Sequence, residues 1–270
     1  MALELNATIS QKVEVAPGLV ILRIIPEGWE LPDFKPGQFI AIGLPGSAKR
    51  YEFSEPDPKP LDPDKMIKRA YSIASSSVEK QYIEFYVRLV TSGELTPRLF
   101  NLNIGDKLWM SPKATGMFTL DQIPEDQNII LFATGTGVAP YMSMLRSSAI
   151  IQEQRSYAVV HGALNSWDLG YRPELMTIER LCSNFTYIPI ISEPDKEPTP
   201  WPGKTGFVAK VWEDKDIQKE WGFDVTPDNT HIFLCGHPLM ITGMVEILVK
   251  DGFKEHSRKD PGTIHLEKFW

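Results

Sequence analysis

Cysteine is almost missing from this sequence: Cys182 and Cys235 are the only two in 270 residues. Two lone thiols make neither a disulfide framework nor a CxxC metal site. They also exclude a cysteine-ligated iron–sulfur cluster, which takes four thiolates. Any metal-based one-electron carrier must therefore sit on another protein. Unpaired thiols fit a reducing compartment, and a cytoplasmic location is expected. Long apolar runs are absent too. No stretch approaches the ~18 residues of a membrane span, and Met1 to Asn6 has neither a basic start nor an apolar stretch, so neither a signal peptide nor a membrane partner is expected. No basic tract marks a nucleic-acid partner. No histidine, cysteine or carboxylate cluster has ligand spacing, and no metal is assigned.

What is present suits a folded chain of one large domain or two of ordinary size. Hydrophobic residues make up 42%, enough for real cores. The net charge of −7 is uneven. Residues 1–120 hold 14 Lys+Arg against 14 Asp+Glu, whereas residues 121–270 hold 14 against 21. The first half reads as short strands with turn punctuation: Leu19 to Ile25, Gln38 to Ile42 after Pro36-Gly37, Gln81 to Val90, and Asp106 to Met110. Spaced strands with few helical windows predict a small antiparallel barrel. One short helix is expected from Thr96 to Leu102, with Thr96 as N-cap and Pro97 at the first helical position. The proline-rich stretch from Ser54 to Asp64 reads as a solvated, mobile loop. The second half alternates. Apolar strands at 128–133, 156–161, 185–191 and 231–235 are interleaved with helical stretches at 138–149, 173–182 and 238–250, which predicts a parallel α/β sheet. The domains are placed at 1–122 and 123–270.

Three stretches carry chemistry. Arg69-Ala70-Tyr71-Ser72 offers a guanidinium for a pyrophosphate, an aromatic face for a flavin ring and a hydroxyl for the flavin N5; it also reads as a plain strand with an exposed arginine. Thr134-Gly135-Thr136-Gly137 lies between a strand and a helix, where small residues let a dinucleotide pyrophosphate approach the backbone. It is not the spaced GxGxxG fingerprint and also reads as an ordinary turn. Leu234-Cys235-Gly236 puts a thiol at the carboxyl end of a strand, the edge where open α/β sheets bind ligands, although a lone cysteine is more often packing. His161 and His237 read as loop residues.

In order and spacing, these motifs resemble the ferredoxin–NADP reductase family, in particular the bacterial flavodoxin/ferredoxin–NADP reductases. Glu84-Phe85-Tyr86-Val87, the stretch Gly93 to Leu99, and Lys113-Ala114-Thr115-Gly116 add to the likeness, which runs from about residue 10 to Trp270. The resemblance implies an antiparallel Greek-key β-barrel that binds FAD, then an α/β parallel-sheet domain that binds NADP(H) or NAD(H). It places the flavin in the cleft between them, with the C-terminal tail returning to it. By matching position, Arg69, Ala70, Tyr71, Ser72, Phe85, Tyr86, Val87, Leu95 and Thr96 would hold the flavin. Thr134, Gly135, Thr136 and Gly137 would hold the dinucleotide. Cys235 would lie beside the nicotinamide, Glu267 near the flavin edge, and Trp270 over the flavin. Ser72, Cys235 and Glu267 are the expected catalytic residues.

The implied reaction passes electrons between NAD(P)H and a one-electron carrier, ferredoxin or flavodoxin. Lys49, Arg50, Lys65 and Lys68 are candidate carrier contacts. The reductase subunit of an oxygenase and a non-catalytic flavin sensor are the alternatives. One feature departs from the family. The positions expected to clamp the 2′-phosphate of NADP with arginine hold Leu164, Glu193 and Phe207, which favours NADH or dual use.

Overall fold

The computed structural model describes residues 4–57, 59–148 and 155–268. The chain divides into two compact units: Met1–Thr119 with Ala139–Ser147, and Leu120–Val138 with Ser148–Trp270. The chain thus changes unit at Thr119/Leu120 and crosses back for a single helix.

The first unit is a six-stranded antiparallel sheet built from β1 (Ala7–Ala16), β2 (Leu19–Pro26), β3 (Phe39–Pro45), β4 (Met66–Ser72), β5 (Ile83–Arg88) and β6 (Lys107–Met110), in the order β4-β3-β6-β1-β2-β5. Alternation explains why these segments are strands. In β2, Leu22 and Ile24 point inward and are fully buried, while Arg23 between them reaches out, as the period of two requires. They meet Ile40, Ile42, Phe85, Leu99 and Leu108 in one core. The sheet curls so that the chain leaving β4 meets β5: the Ala74 N–H donates to the Glu84 carbonyl (2.8 Å) and the Glu84 N–H to Ser75 Oγ (3.1 Å). β1 has no counterpart in the sequence reading. Gln11, Lys12 and Glu14 break its apolar pattern, and its register with β2 slips twice. Pairing with β2 and β6 overrides the weak local signal.

The short helix α1 (Thr96–Asn101) follows β5. Leu95, not Thr96, occupies its cap position, without a side-chain cap. The Thr96 hydroxyl is instead used on the preceding turn, accepting from the Val90 N–H (3.0 Å) and donating to the Val90 carbonyl (3.2 Å).

The second unit is an all-parallel sheet in the order β10-β9-β8-β7-β11-β12. Its strands are β7 (Asn128–Thr134), β8 (Tyr157–Ala163), β9 (Phe185–Ile191), β10 (Lys204–Thr205), β11 (Thr230–Cys235) and β12 (Ile264–Glu267). Helices α3 (Arg172–Leu181), α4 (Val208–Glu213), α5 (Asp216–Trp221) and α6 (Pro238–Lys250) accompany it. The central strands are buried along nearly their whole length, as a sheet covered on both faces demands. On one face Ile130, Phe132, Ile232, Leu234 and Ile264 pack with Val211, Met244 and Leu248.

Helix α2 (Ala139–Ser147) follows β7 in the chain yet groups with the first unit. It buries most of its residues, with the Tyr141 ring packed on Phe118, and it is also anchored electrostatically. Glu84, 1% exposed, takes a bond from Arg146 Nη1 (2.7 Å) on α2 and another from Arg23 Nε (2.8 Å) on β2. Arg146 also donates to the Ala74 carbonyl (2.7 Å). A buried carboxylate is tolerated because it is paired and hydrogen-bonded, and deleting it strands two guanidinium groups. Glu84→Ala is therefore expected to cost about 3 kcal/mol or more in urea denaturation; a loss under about 1 kcal/mol would show that the pair does not hold α2.

Candidate functional site

The sequence motif around Arg69 becomes the outer strand β4. Its register with β3 sets Ser72 opposite Phe39, Tyr71 opposite Ile40 and Ala70 opposite Ala41. Arg69 is exposed, and its Nη2 donates to Glu94 Oε2 at 2.6 Å. Tyr71 is half-buried. Its ring stands edge-on to Phe85, with centroids 6.1 Å apart and planes at 66°. Burial pushes the Tyr71 hydroxyl well above the ordinary phenol range, and the Arg69 charge opposes this only partly, so it acts as a hydrogen-bonding phenol. Phe85, Tyr86 and Val87 are all buried in β5, with Phe85 in the barrel core. Beside β4 runs a groove of about 400 Å³ walled by Leu61, Lys65, Ile67, Lys68, Arg69 and Glu94.

The turn from Gly93 to Leu95 is fixed by Arg98 and Asp57, which the sequence did not single out, and by Arg50, which it offered as a carrier contact. Arg98 is 2% exposed and donates to both Asp57 oxygens (3.0 and 2.7 Å), to the Glu94 carbonyl (2.7 Å) and to the Gly46 carbonyl (2.7 Å). Arg50 donates to Asp57 (2.6 Å) and to the Gly93 carbonyl (2.9 Å). These two guanidiniums, Arg98 foremost, hold the Asp57 carboxyl below the usual carboxylate range. The proline-rich loop is thus pinned at Asp57, and Arg50 is an internal strut rather than a free contact for a carrier. Lys68 lies 3.9 Å over the Trp109 ring, whereas Lys49 and Lys65 are exposed. An arginine inside the apolar run Leu95 to Phe100 was the available signal for this node.

In the second unit, Gly135–Val138 forms a 3-10 turn at the end of β7. This turn and the one after β11 meet backbone to backbone. A Cβ on Gly137 would stand 2.3 Å from the Cys235 carbonyl oxygen. One on Gly236, whose φ is +138°, would stand 2.2 Å from Thr134 Oγ1 and 2.8 Å from the Thr134 nitrogen. Only glycine admits that approach. Thr134 Oγ1 accepts from the His237 N–H at 2.8 Å, which ties the two turns together.

His161 is not a loop residue. It lies in β8, fully buried, with Nε2 3.0 Å from the Gly135 carbonyl. Burial pushes it down to about 4, so the neutral ring donates to that carbonyl and braces the turn. His237 caps α6, with Nδ1 accepting from the Leu239 N–H (3.2 Å).

The same contact places Cys235. It is 2% exposed, opposite Glu267 in the β11–β12 register, with Sγ 4.0 Å from Glu267 Oε2. Burial, and then the Glu267 charge, push the thiol well above its ordinary value. It is held as a protonated thiol, not as a nucleophilic thiolate. Glu267 is 7% exposed at the end of β12. Trp270 lies outside the described residues. Leu164 and Glu193 gather at one sheet edge, where the Glu193 N–H donates to the Leu164 carbonyl (2.9 Å). Phe207 follows Gly206, whose N–H bonds the last residue of β9 (2.8 Å), and it is 76% exposed. Among the described residues, no group of three or more histidines, cysteines or carboxylates could hold a metal, and no helix is long and apolar enough to cross a membrane.

Residues 60–118 match the oxidoreductase FAD-binding domain model, and residues 131–246 match the oxidoreductase NAD-binding domain model. A flavodoxin/ferredoxin–NADP reductase of Buchnera aphidicola subsp. Baizongia pistaciae is 30% identical over 207 residues, covering 76% of this chain and 82% of its own. A ferredoxin–NADP reductase of Pseudomonas aeruginosa is 28% identical over 247 residues, covering 87% and 86%. In fold, a ferredoxin NADP+ reductase from Neisseria gonorrhoeae, solved with bound FAD and NADP, superposes with a TM-score of 0.81 at 21% identity over 97% of each chain. With a relative at that identity and coverage, and both halves of the chain matched in order, the chain belongs to the flavodoxin/ferredoxin–NADP reductase family.

Proposed function

We propose that this chain is an NAD(P)H-dependent flavoenzyme that passes electrons between a nicotinamide dinucleotide and ferredoxin or flavodoxin. The observation that carries this reading is the Cys235–Glu267 pair at the strand end beside the glycine-tight turn Gly135–Gly137, in a chain whose first unit also presents Arg69, Tyr71 and Ser72 along one strand.

The residues present fit FAD. The groove beside β4 is large enough for part of a nucleotide. Arg69 meets it with an exposed guanidinium that bonds the half-buried Glu94 carboxylate (2.6 Å) and the Lys68 carbonyl (2.8 Å) and that would turn from them to fork onto a diphosphate. Tyr71 offers a half-buried aromatic face. Bound there, FAD supplies what no side chain can, the conversion of a hydride into single electrons. Ser72 would hold its hydroxyl at the flavin N5, and the Leu95–Thr96 turn, braced by Arg98, would present amides to the pyrophosphate. In the second unit, the turn at 134–137 would receive the dinucleotide pyrophosphate. The protonated Cys235 thiol would pack against the nicotinamide without attacking it, and Glu267 would serve as the proton-exchanging group. The exposed Lys49 and Lys65 are the remaining candidates for contact with an acidic carrier. Ser72→Ala is expected to lower the rate of hydride transfer by about tenfold to a hundredfold while leaving FAD bound. An unchanged rate in single-turnover mixing would remove Ser72 from the reaction.

Dinucleotide choice departs from the family name. A 2′-phosphate wants guanidinium partners, whereas a carboxylate suits a ribose diol. Here the sheet edge offers Leu164, Glu193 and Phe207. The cations that could compensate are engaged: Lys196 with Glu193 (2.8 Å), Lys204 with Asp216 (2.8 Å), and Arg172 stacked 4.6 Å over the Trp201 ring. NADH is accordingly proposed to serve at least comparably to NADPH. With ferricyanide as acceptor, kcat/KM for the two should agree within about tenfold or favour NADH; a preference for NADPH of about a hundredfold, near 2.7 kcal/mol, would overturn this.

A further inference from the structure

Three of the five histidines in the sequence meet on one face of the parallel sheet, at its edge. His231 lies on β11, His265 on β12, and His256 in the segment that leads from α6 to β12. His231 Nδ1 and His265 Nε2 are 2.9 Å apart. The His256 ring lies 4.7 Å from that of His265. The other neighbour of His265 is Phe233, stacked at 4.4 Å with planes 15° apart. His256 Nδ1 is within 3.1 Å of the Gly262 carbonyl, and the His256 N–H bonds the Ile264 carbonyl at 2.7 Å, so the segment is folded back on β12.

This arrangement has a weakness built into it. A bond between two imidazole nitrogens needs a proton on one and a lone pair on the other. One added proton can be accommodated at an outer nitrogen, but a second sets N–H against N–H. No carboxylate contributes to the charge state of His265, which feels only its burial and the two other histidines. The remaining charges on the neighbouring elements do not compensate. Lys254 and Asp260 pair with each other. Glu255, Arg258, Lys259 and Lys268 are exposed, as are Glu125, Asp126 and Asp228 in the turns leading to β7 and β11. Ile129 and Leu131, the β7 neighbours of His231 and Phe233, are apolar. Glu267 lies two residues beyond His265 on the same face of β12 and belongs to the Cys235 pair.

We propose that His231 and His265, with the His256 ring packed against them, form a proton-released clasp that fixes the edge strand β12 and, with it, Glu267 beside Cys235. β12 has only four residues and is paired by a full strand on one side only, β11; on its other side, among the described residues, a single parallel bridge ties Ile264 to Glu255, so it depends on side-chain contacts more than an inner strand does. Burial pushes His265 down to about 3 and, by a smaller shift, lowers His231. Kept neutral in the clasp but free to protonate when it opens, His265 and His231 bind more protons in the open state. The clasp is therefore fully stable above the ordinary histidine value near 6.5 and loses stability as pH falls from there toward 3. The effect on turnover rests on the proposed role of Glu267; the clasp itself does not.

The test is hydrogen exchange of the FAD-loaded full chain at about pH 7.5 and about pH 5, read as protection factors. Protection of the Ile264–Glu267 amides should fall about tenfold more than that of Leu131 to Ala133 in the same sheet. His265→Phe keeps the ring stack and cannot titrate, so it should abolish that difference and flatten the acid limb of diaphorase turnover. His231→Gln is the second variant should the first not fold. β12 protection that tracks β7 at both pH values, or a pH dependence that survives both substitutions, would overturn the clasp. Glu267→Gln with undiminished turnover at about pH 7.5 would instead retire the role of Glu267 and leave the exchange result standing.

Discussion

The nicotinamide end of the proposed site depends on a contact between two backbones. Gly137 and Gly236 let the turns after β7 and β11 approach to distances no Cβ would permit. Thr134 then bonds the amide of His237 across the gap, and His161 braces Gly135 from beneath. Cys235 is placed by that closeness, and Glu267 stands opposite it in the β11–β12 register. Their separation of 4.0 Å is loose for a hydrogen bond, and the thiol stays protonated because it is buried beside a carboxylate. In the proposed site the cysteine would pack against the nicotinamide without offering a competing nucleophile.

The flavin unit is organised by buried charge that is paired with opposite charge. Glu84 bonds arginines from β2 and α2, and Asp57 bonds Arg50 and Arg98. Each carboxylate joins segments that are distant in sequence. Buried pairs of this kind contribute little net stability compared with an apolar replacement, but they are costly to break. They suit a job in which geometry matters more than free energy: holding β4, β5 and the turn before α1 in one arrangement along Arg69, Tyr71 and Ser72.

Much of this was legible in the sequence because strong local signals coincide with tertiary demands. The apolar strands at 128–133 and 231–235 appear where periodicity puts them, and Arg69 to Ser72 lie together on one strand. The omissions share a cause. β1 carries Gln11, Lys12 and Glu14 on a strand with an open face, so alternation is blurred. α4 and α5 are short helices after Phe207, held by contacts of Val211, Trp212 and Ile217 with the sheet rather than by propensity. Arg98 drew no reading of its own in the short helix, yet it is 2% exposed because carboxylate and carbonyl groups far along the chain converge on it. Long-range polar convergence leaves no periodic trace. The same holds for the histidines of β11 and β12, which are unremarkable singly and meaningful only in register.

The central claim is that a dinucleotide reduces FAD on this chain and that the electrons leave one at a time. The most direct test mixes the FAD-loaded protein with NADH or NADPH without oxygen, follows the yellow flavin absorbance, and then adds oxidised ferredoxin or flavodoxin. The account predicts bleaching within the time of one turnover, return of the oxidised spectrum on adding the carrier, and two carriers reduced for each dinucleotide consumed. Flavin that stays oxidised with both dinucleotides, or reduced flavin that passes no electrons to either carrier, would contradict it.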